Sequence, residues 1–198
     1  MRHANVLNVL ASAMNRAFLD VEREPKLQPV TETQKETILK KSRNAILDDD
    51  ARSDIRVNGF WTHNGQAFFD IRVFYPHAAS YEKKTIEEVY KINRNEKKSN
   101  YNERILQVEH GSFTPFVCAS TGSIDKEAMV ALKLLASKIA EKTNEIYSNV
   151  ICNLRCKLSF ELYHAALMML RGSRRRRAGP QWNRPVDVVI NEARIDSR

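Results

Sequence analysis

Two aspartates stand in runs that otherwise read as buried strand. Asp54 lies in SDIRVNGF and Asp70 in AFFDIRV, each among Ile, Val and Phe. An ionised carboxylate in apolar surroundings costs several kcal/mol unless something compensates it. If the two runs pair as neighbouring antiparallel strands, the carboxylates meet and repel unless a cation lies between them. A hard divalent ion, Mg²⁺ or in its place Mn²⁺, takes one or two carboxylate oxygens and leaves its other positions to water and phosphate, the ligand set of phosphodiester hydrolysis. The plain structural alternative pairs Asp70 with Arg72 or Arg56.

The elements that must position these acids follow from periodicity. Ser53 to Trp61 and Gln66 to Tyr75 are strand-like, and the THNG between them holds Asn64-Gly65, the dipeptide of a tight hairpin. Upstream, Val6, Leu7, Leu10, Ala13, Met14, Ala17 and Phe18 fall on one face of a helix over 4–18, and VEREP reads as a short strand ended by Pro25. Residues 26–52 are polar and predict a loop with one short helix. Residues 85–108 lack Gly and Pro and predict a helix. FTPFVCA predicts a fourth strand, and 125–142 and 149–170 predict two amphipathic helices. The resulting order is an α/β sandwich around a small mixed sheet.

Composition sets the outer bounds. The 198 residues are 42% hydrophobic, enough for one domain, taken as 1–171, followed by a basic tail over 172–198 that has little apolar material to bury. With 32 Lys and Arg against 24 Asp and Glu, the net charge of +8 suits a polyanionic partner such as nucleic acid. Three cysteines and no signal-peptide pattern argue for a nuclear or otherwise intracellular protein, not a secreted one, and no run is long enough for a membrane span. Cys152 and Cys156 are taken as packing residues.

These residues lead to a family likeness. Arg2-His3 heading a helix, Glu24-Pro25, Ser53-Asp54, Asp70-Ile71-Arg72 and Lys97-Lys98-Ser99-Asn100-Tyr101 together resemble the restriction-like endonuclease domain, of PD-(D/E)XK type, at the C-terminal end of some site-specific non-LTR retrotransposon proteins. The likeness runs from about Arg2 to Arg174. It implies a restriction-endonuclease-like fold, an αβββαβ core plus C-terminal helices. It further implies a Mg²⁺-dependent nuclease that cuts target DNA for target-primed reverse transcription, fused to or acting with a reverse transcriptase. Asp54, Asp70, Lys97 and Tyr101 match the family's catalytic positions, and Asp54 and Asp70 with the Ile71 carbonyl would hold the metal. Serine replaces the family's proline before Asp54, and RHAN replaces its acid-bearing start. Met1 falls almost on the RH motif, which reads as a fragment, a truncation or a stand-alone derivative.

Arg72 occupies the lysine position of the D-x-K motif and stays charged, so Lys97 or Lys98 must supply the proton-handling group. Glu24 is either a third metal ligand or a surface or cap residue. Arg2, His3, Arg72, Lys98, Arg171 and the run Arg174, Arg175, Arg176 and Arg177 are candidate DNA contacts. A second expectation stands beside the nuclease: a catalytically silent nucleic-acid-binding relic of the same domain.

Overall fold

The computed structural model describes residues 2–172. The order is α1 (Arg2–Ala17), β1 (Val21–Arg23), α2 (Glu32–Lys41), β2 (Ile55–Asn58), β3 (Gln66–Phe74), α3 (Ile86–Arg104), β4 (Ser112–Ala119), α4 (Lys126–Thr143) and α5 (Tyr147–Gly172). One sheet runs β1-β2-β3-β4, antiparallel across the first two junctions and parallel between β3 and β4. The parallel pair needs a crossover, which α3 supplies. The fold is therefore mixed α/β, with a four-stranded mixed sheet and five α-helices among the described residues.

Period-two alternation along β3 sends its side chains to two layers. Ala67, Phe69 and Ile71 join Ile55, Val57, Phe116 and Cys118 in the main core, closed by α1, α4 and α5. Phe68 and Phe74 face the other way, toward α3 and the 26–52 segment. Asp70 falls between them and shares their face. On α5 the stripe Val150, Leu154, Leu158 and Leu162 is buried. Cys152 and Cys156 are exposed, which corrects the reading of them as packing residues. Each lies two positions from a residue of the buried stripe, about 200° away around the helix.

The connection from β2 to β3 also differs from expectation. β2 ends at Asn58, and the chain needs a seven-residue loop rather than a two-residue turn at Asn64-Gly65. Phe60 is the cause. It is 1% exposed and packs edge-on against Phe69 at 4.8 Å, with Phe18 at 5.3 Å, so the strand breaks to insert it into the core. Gly59, at φ +79°, makes the break in a region that L side chains rarely adopt. Its N–H donates to the Gly65 carbonyl at 2.9 Å, closing the loop.

A capping box starts α3: Thr85 Oγ1 accepts from the Glu88 N–H, and the Glu88 carboxylate accepts from the Thr85 N–H at 2.8 Å. Thr85→Ala should lower stability by about 1 kcal/mol, read as a shift in urea midpoint at unchanged slope. Beyond Arg104 the helix ends in a π-helical turn, Ile105–Glu109, that buries Ile105 and Val108.

Arg104 fastens the 26–52 segment to α3. Its side chain is fully buried and its two terminal nitrogens donate to the carbonyls of Ile46 (3.0 Å), Asp48 (2.7 Å) and Gln28 (2.9 Å). Five donors in a rigid fork let one guanidinium satisfy three separated acceptors.

Candidate functional site

Asp54 sits one residue before β2. Ile55 is opposite Phe69, and the Asp54 N–H donates to that same Phe69 carbonyl at 3.0 Å, one residue out of the ladder register in the manner of a bulge, which re-aims the Asp54 side chain at the end of the strand pair. Both acids line one open cleft of about 390 Å³, together with His3, Arg52, Ile71, Arg72, Val73, Lys97 and Tyr101.

The two carboxylates are held differently. Asp54 Oδ2 accepts from the Ile71 N–H and lies 2.8 Å from His3 Nε2. A carboxylate oxygen only accepts, so Nε2 carries the hydrogen. Asp70 is 4% exposed, and Lys97 Nζ lies 2.6 Å from its Oδ2. That ammonium is close enough to neutralise Asp70 but off hydrogen-bond direction, so buried Oδ2 has no aligned donor among the described residues. Burial pushes the Asp70 carboxyl up to about 6, helped by the charge of Asp54 and opposed by Lys97 and His3. His3 is raised, chiefly by its hydrogen bond to Asp54.

Lys97 and Tyr101 are one turn apart on α3, with the ammonium 5.7 Å from the ring centroid. The ring stacks on Phe113 at 5.6 Å. Burial and the nearby carboxylates hold the phenol at about 12, so it stays neutral and serves as a platform for Lys97.

The remaining expected residues divide. Arg72 lines the cleft, where its Nε donates to Asn93 Oδ1 at 3.2 Å. The Ile71 side chain belongs to the main core, while its backbone N–H, and with it the carbonyl, projects toward the Asp54 edge. Lys98 turns away to Glu127 on α4 at 2.7 Å and does not line the cleft, so of the two lysines only Lys97 is at the acids. Glu24 is exposed and meets Asp54 through backbone alone, its N–H donating to the Asp54 carbonyl at 2.8 Å; its side chain is not among those lining the cleft. Arg2 opens α1 and Arg171 stands near the end of α5. Arg174, Arg175, Arg176 and Arg177 lie outside the described residues, as does the 173–198 stretch of the expected tail.

Arg52 also lines the cleft, although its sequence context did not single it out. The signal was its place two residues before Asp54 in extended chain, which puts both on one face.

Among the described residues no three His, Cys, Asp or Glu side chains converge as a metal set. The donors that do converge are two carboxylates with backbone oxygen beside them. That hard-oxygen set suits Mg²⁺, which keeps several of its waters, and the buried Oδ2 of Asp70 has no aligned hydrogen-bond donor among the described residues, with Lys97 Nζ beside it at 2.6 Å. The residues therefore fit a hard, oxygen-seeking ion such as Mg²⁺ better than Zn²⁺. No protein-family model matches the chain, and no curated protein does. Among the described residues no helix is long and apolar enough to cross a membrane.

Proposed function

We propose that this chain is a Mg²⁺-dependent DNA endonuclease domain of restriction-like, PD-(D/E)XK type and retroelement origin. It acts in the nucleus, with Mn²⁺ as a substitute ion, cutting target DNA to prime reverse transcription. One observation carries the reading: Asp54 and Asp70 share a cleft, and Lys97 Nζ lies 2.6 Å from Asp70. The succession α1, β1, β2, β3, α3, β4, with α2 inserted between β1 and β2, supports it.

In this reading Asp54, Asp70 and the Ile71 carbonyl hold the ion. When bound, the ion polarises the scissile phosphate and lowers the pKa of a bound water. Lys97, carried on a rigid helix and backed by Tyr101, neutralises charge that develops on the phosphorane. Arg72 and Arg52 remain charged at the cleft wall and take flanking phosphates. Purified protein should convert supercoiled plasmid to nicked or linear forms with Mg²⁺ and not with EDTA. Asp54→Ala and Lys97→Ala should each abolish conversion with the fold intact by circular dichroism. Mg²⁺-dependent nicking that survives Asp54→Ala defeats the assignment.

The engagement of both acids by protein donors, Asp70 with the Lys97 ammonium and Asp54 with the His3 imidazole, favours a second reading: a silent DNA-binding relic. A relic binds DNA with a salt-dependent affinity yet gives no Mg²⁺ or Mn²⁺ heat at the carboxylates in calorimetric titration.

A further inference from the structure

We propose that His3 is a positioning residue for the metal centre, setting the orientation of the Asp54 carboxylate, and is not a DNA contact. The inference rests on the metal-centre reading above and deepens it. Asp54 precedes β2, and its main chain is held between the Glu24 N–H and the Phe69 carbonyl, so what remains to be set is the direction of its carboxylate. Its carboxylate is fixed by two donors on one oxygen, the Ile71 N–H and His3 Nε2, both at Oδ2. Among the described residues that leaves Oδ1 as the oxygen with no protein donor. A carboxylate held at one oxygen by a hydrogen bond presents the other in a defined direction, which is how outer partners tune metal ligands.

The support for His3 is itself rigid. Val6, Leu7 and Leu10 of α1 are buried in the main core, which fixes the first turn of the helix. Asn5 Nδ2 donates to Glu161 of α5 at 2.8 Å, a second tie at the same turn. A site built on an element so anchored holds its ligands more tightly than one built on a loop. The His3 ring is 46% exposed against 15% for the Asp54 side chain, and its hydrogen-bond partner among the described residues is that carboxylate.

The test is calorimetric titration of Mn²⁺, without DNA, into the full chain and into His3→Ala, His3→Gln and Asp70→Ala. The expected result is binding by the wild type, none by Asp70→Ala, and affinity about 10–100-fold weaker for His3→Ala. His3→Gln, whose amide N–H can donate to the same oxygen, returns to within about 3-fold of wild type. In EDTA, DNA affinity is the same for His3→Ala and wild type. Mn²⁺ affinity unchanged in His3→Ala, a glutamine variant as weak as the alanine one, or loss of DNA affinity in EDTA each overturns the inference while leaving the metal centre standing. A wild type that takes up no Mn²⁺ removes both together.

Discussion

Asp70→Asn should slow plasmid cleavage by about 10³-fold and, at pH 8, make the protein more resistant to urea. The first effect follows from losing an anionic ligand to an ion whose charge stabilisation is worth several kcal/mol, at 1.36 kcal/mol per tenfold in rate. The second follows from burial. A carboxyl raised from its ordinary 3.8 to about 6 in the folded state is destabilising when ionised, by about 3 kcal/mol. The sign is that of a raised acid: the protonated form favours folding below the unfolded value of 3.8, and that advantage is lost as pH rises through 6. Asparagine removes the charge and keeps the shape, and Lys97, left without its carboxylate, can extend toward water. The net gain should be about 1–3 kcal/mol at pH 8. It should shrink as pH falls through 6 and vanish below 3.8, in urea titrations at each pH. A variant less stable than wild type at pH 8, by the same margin at pH 4, contradicts the argument. The trade of stability for a charged site is what a working centre predicts, whereas a merely structural aspartate is expected to stabilise.

Arg104→Leu should cost about 3–5 kcal/mol, the largest stability loss expected of any single polar side chain here. The guanidinium serves three carbonyls from separate stretches of 26–52, and a leucine of similar volume leaves all three without that donor and supplies no other. Arg104→Lys should recover only part of the loss, because one ammonium lacks the fork that reaches Gln28 in one direction and Ile46 and Asp48 in another. The released segment leads directly into Arg52, Ser53 and Asp54, so proteases should nick 42–52 faster in the variant. Mn²⁺ affinity should fall although no ligand has changed. Unchanged urea midpoint in Arg104→Leu would show that water serves those carbonyls equally well.

Much of this architecture is legible in local pattern. Alternation of Ala67, Phe69 and Ile71 against Phe68 and Asp70 defines β3 and its two faces. Heptad-like apolar spacing defines α1, α4 and α5, and Thr85 with Glu88 marks where α3 begins. The meeting of Asp54 and Asp70 needs, besides the antiparallel pairing of β2 with β3, the one-residue offset by which the Asp54 N–H reaches the Phe69 carbonyl. Apart from that offset, these features depend on residues within a turn or a strand of one another, whose geometry is repeated and therefore readable.

What neighbours in sequence could not decide are pairings across the layers. In NEKKSNY, Lys97 and Lys98 are chemically identical, yet a rotation of about 100° sends one to Asp70 and the other to Glu127, and only the seating of α3 on the sheet selects which. Lys97 was singled out from the family resemblance and not from its own context. Phe60 broke the expected hairpin because its place was an aromatic pocket formed with Phe18 and Phe69, far from the Asn-Gly pair that governs the turn locally. Arg104 stands in a charged helix and reads as solvent-facing until three carbonyls from another segment close over it. His3 meets Asp54 across 51 positions of chain. Composition and period thus specify the elements and the face Asp70 takes. The partner of each charge is fixed by how those elements pack, since burial removes the water that would otherwise let any of the many lysines or arginines serve equally.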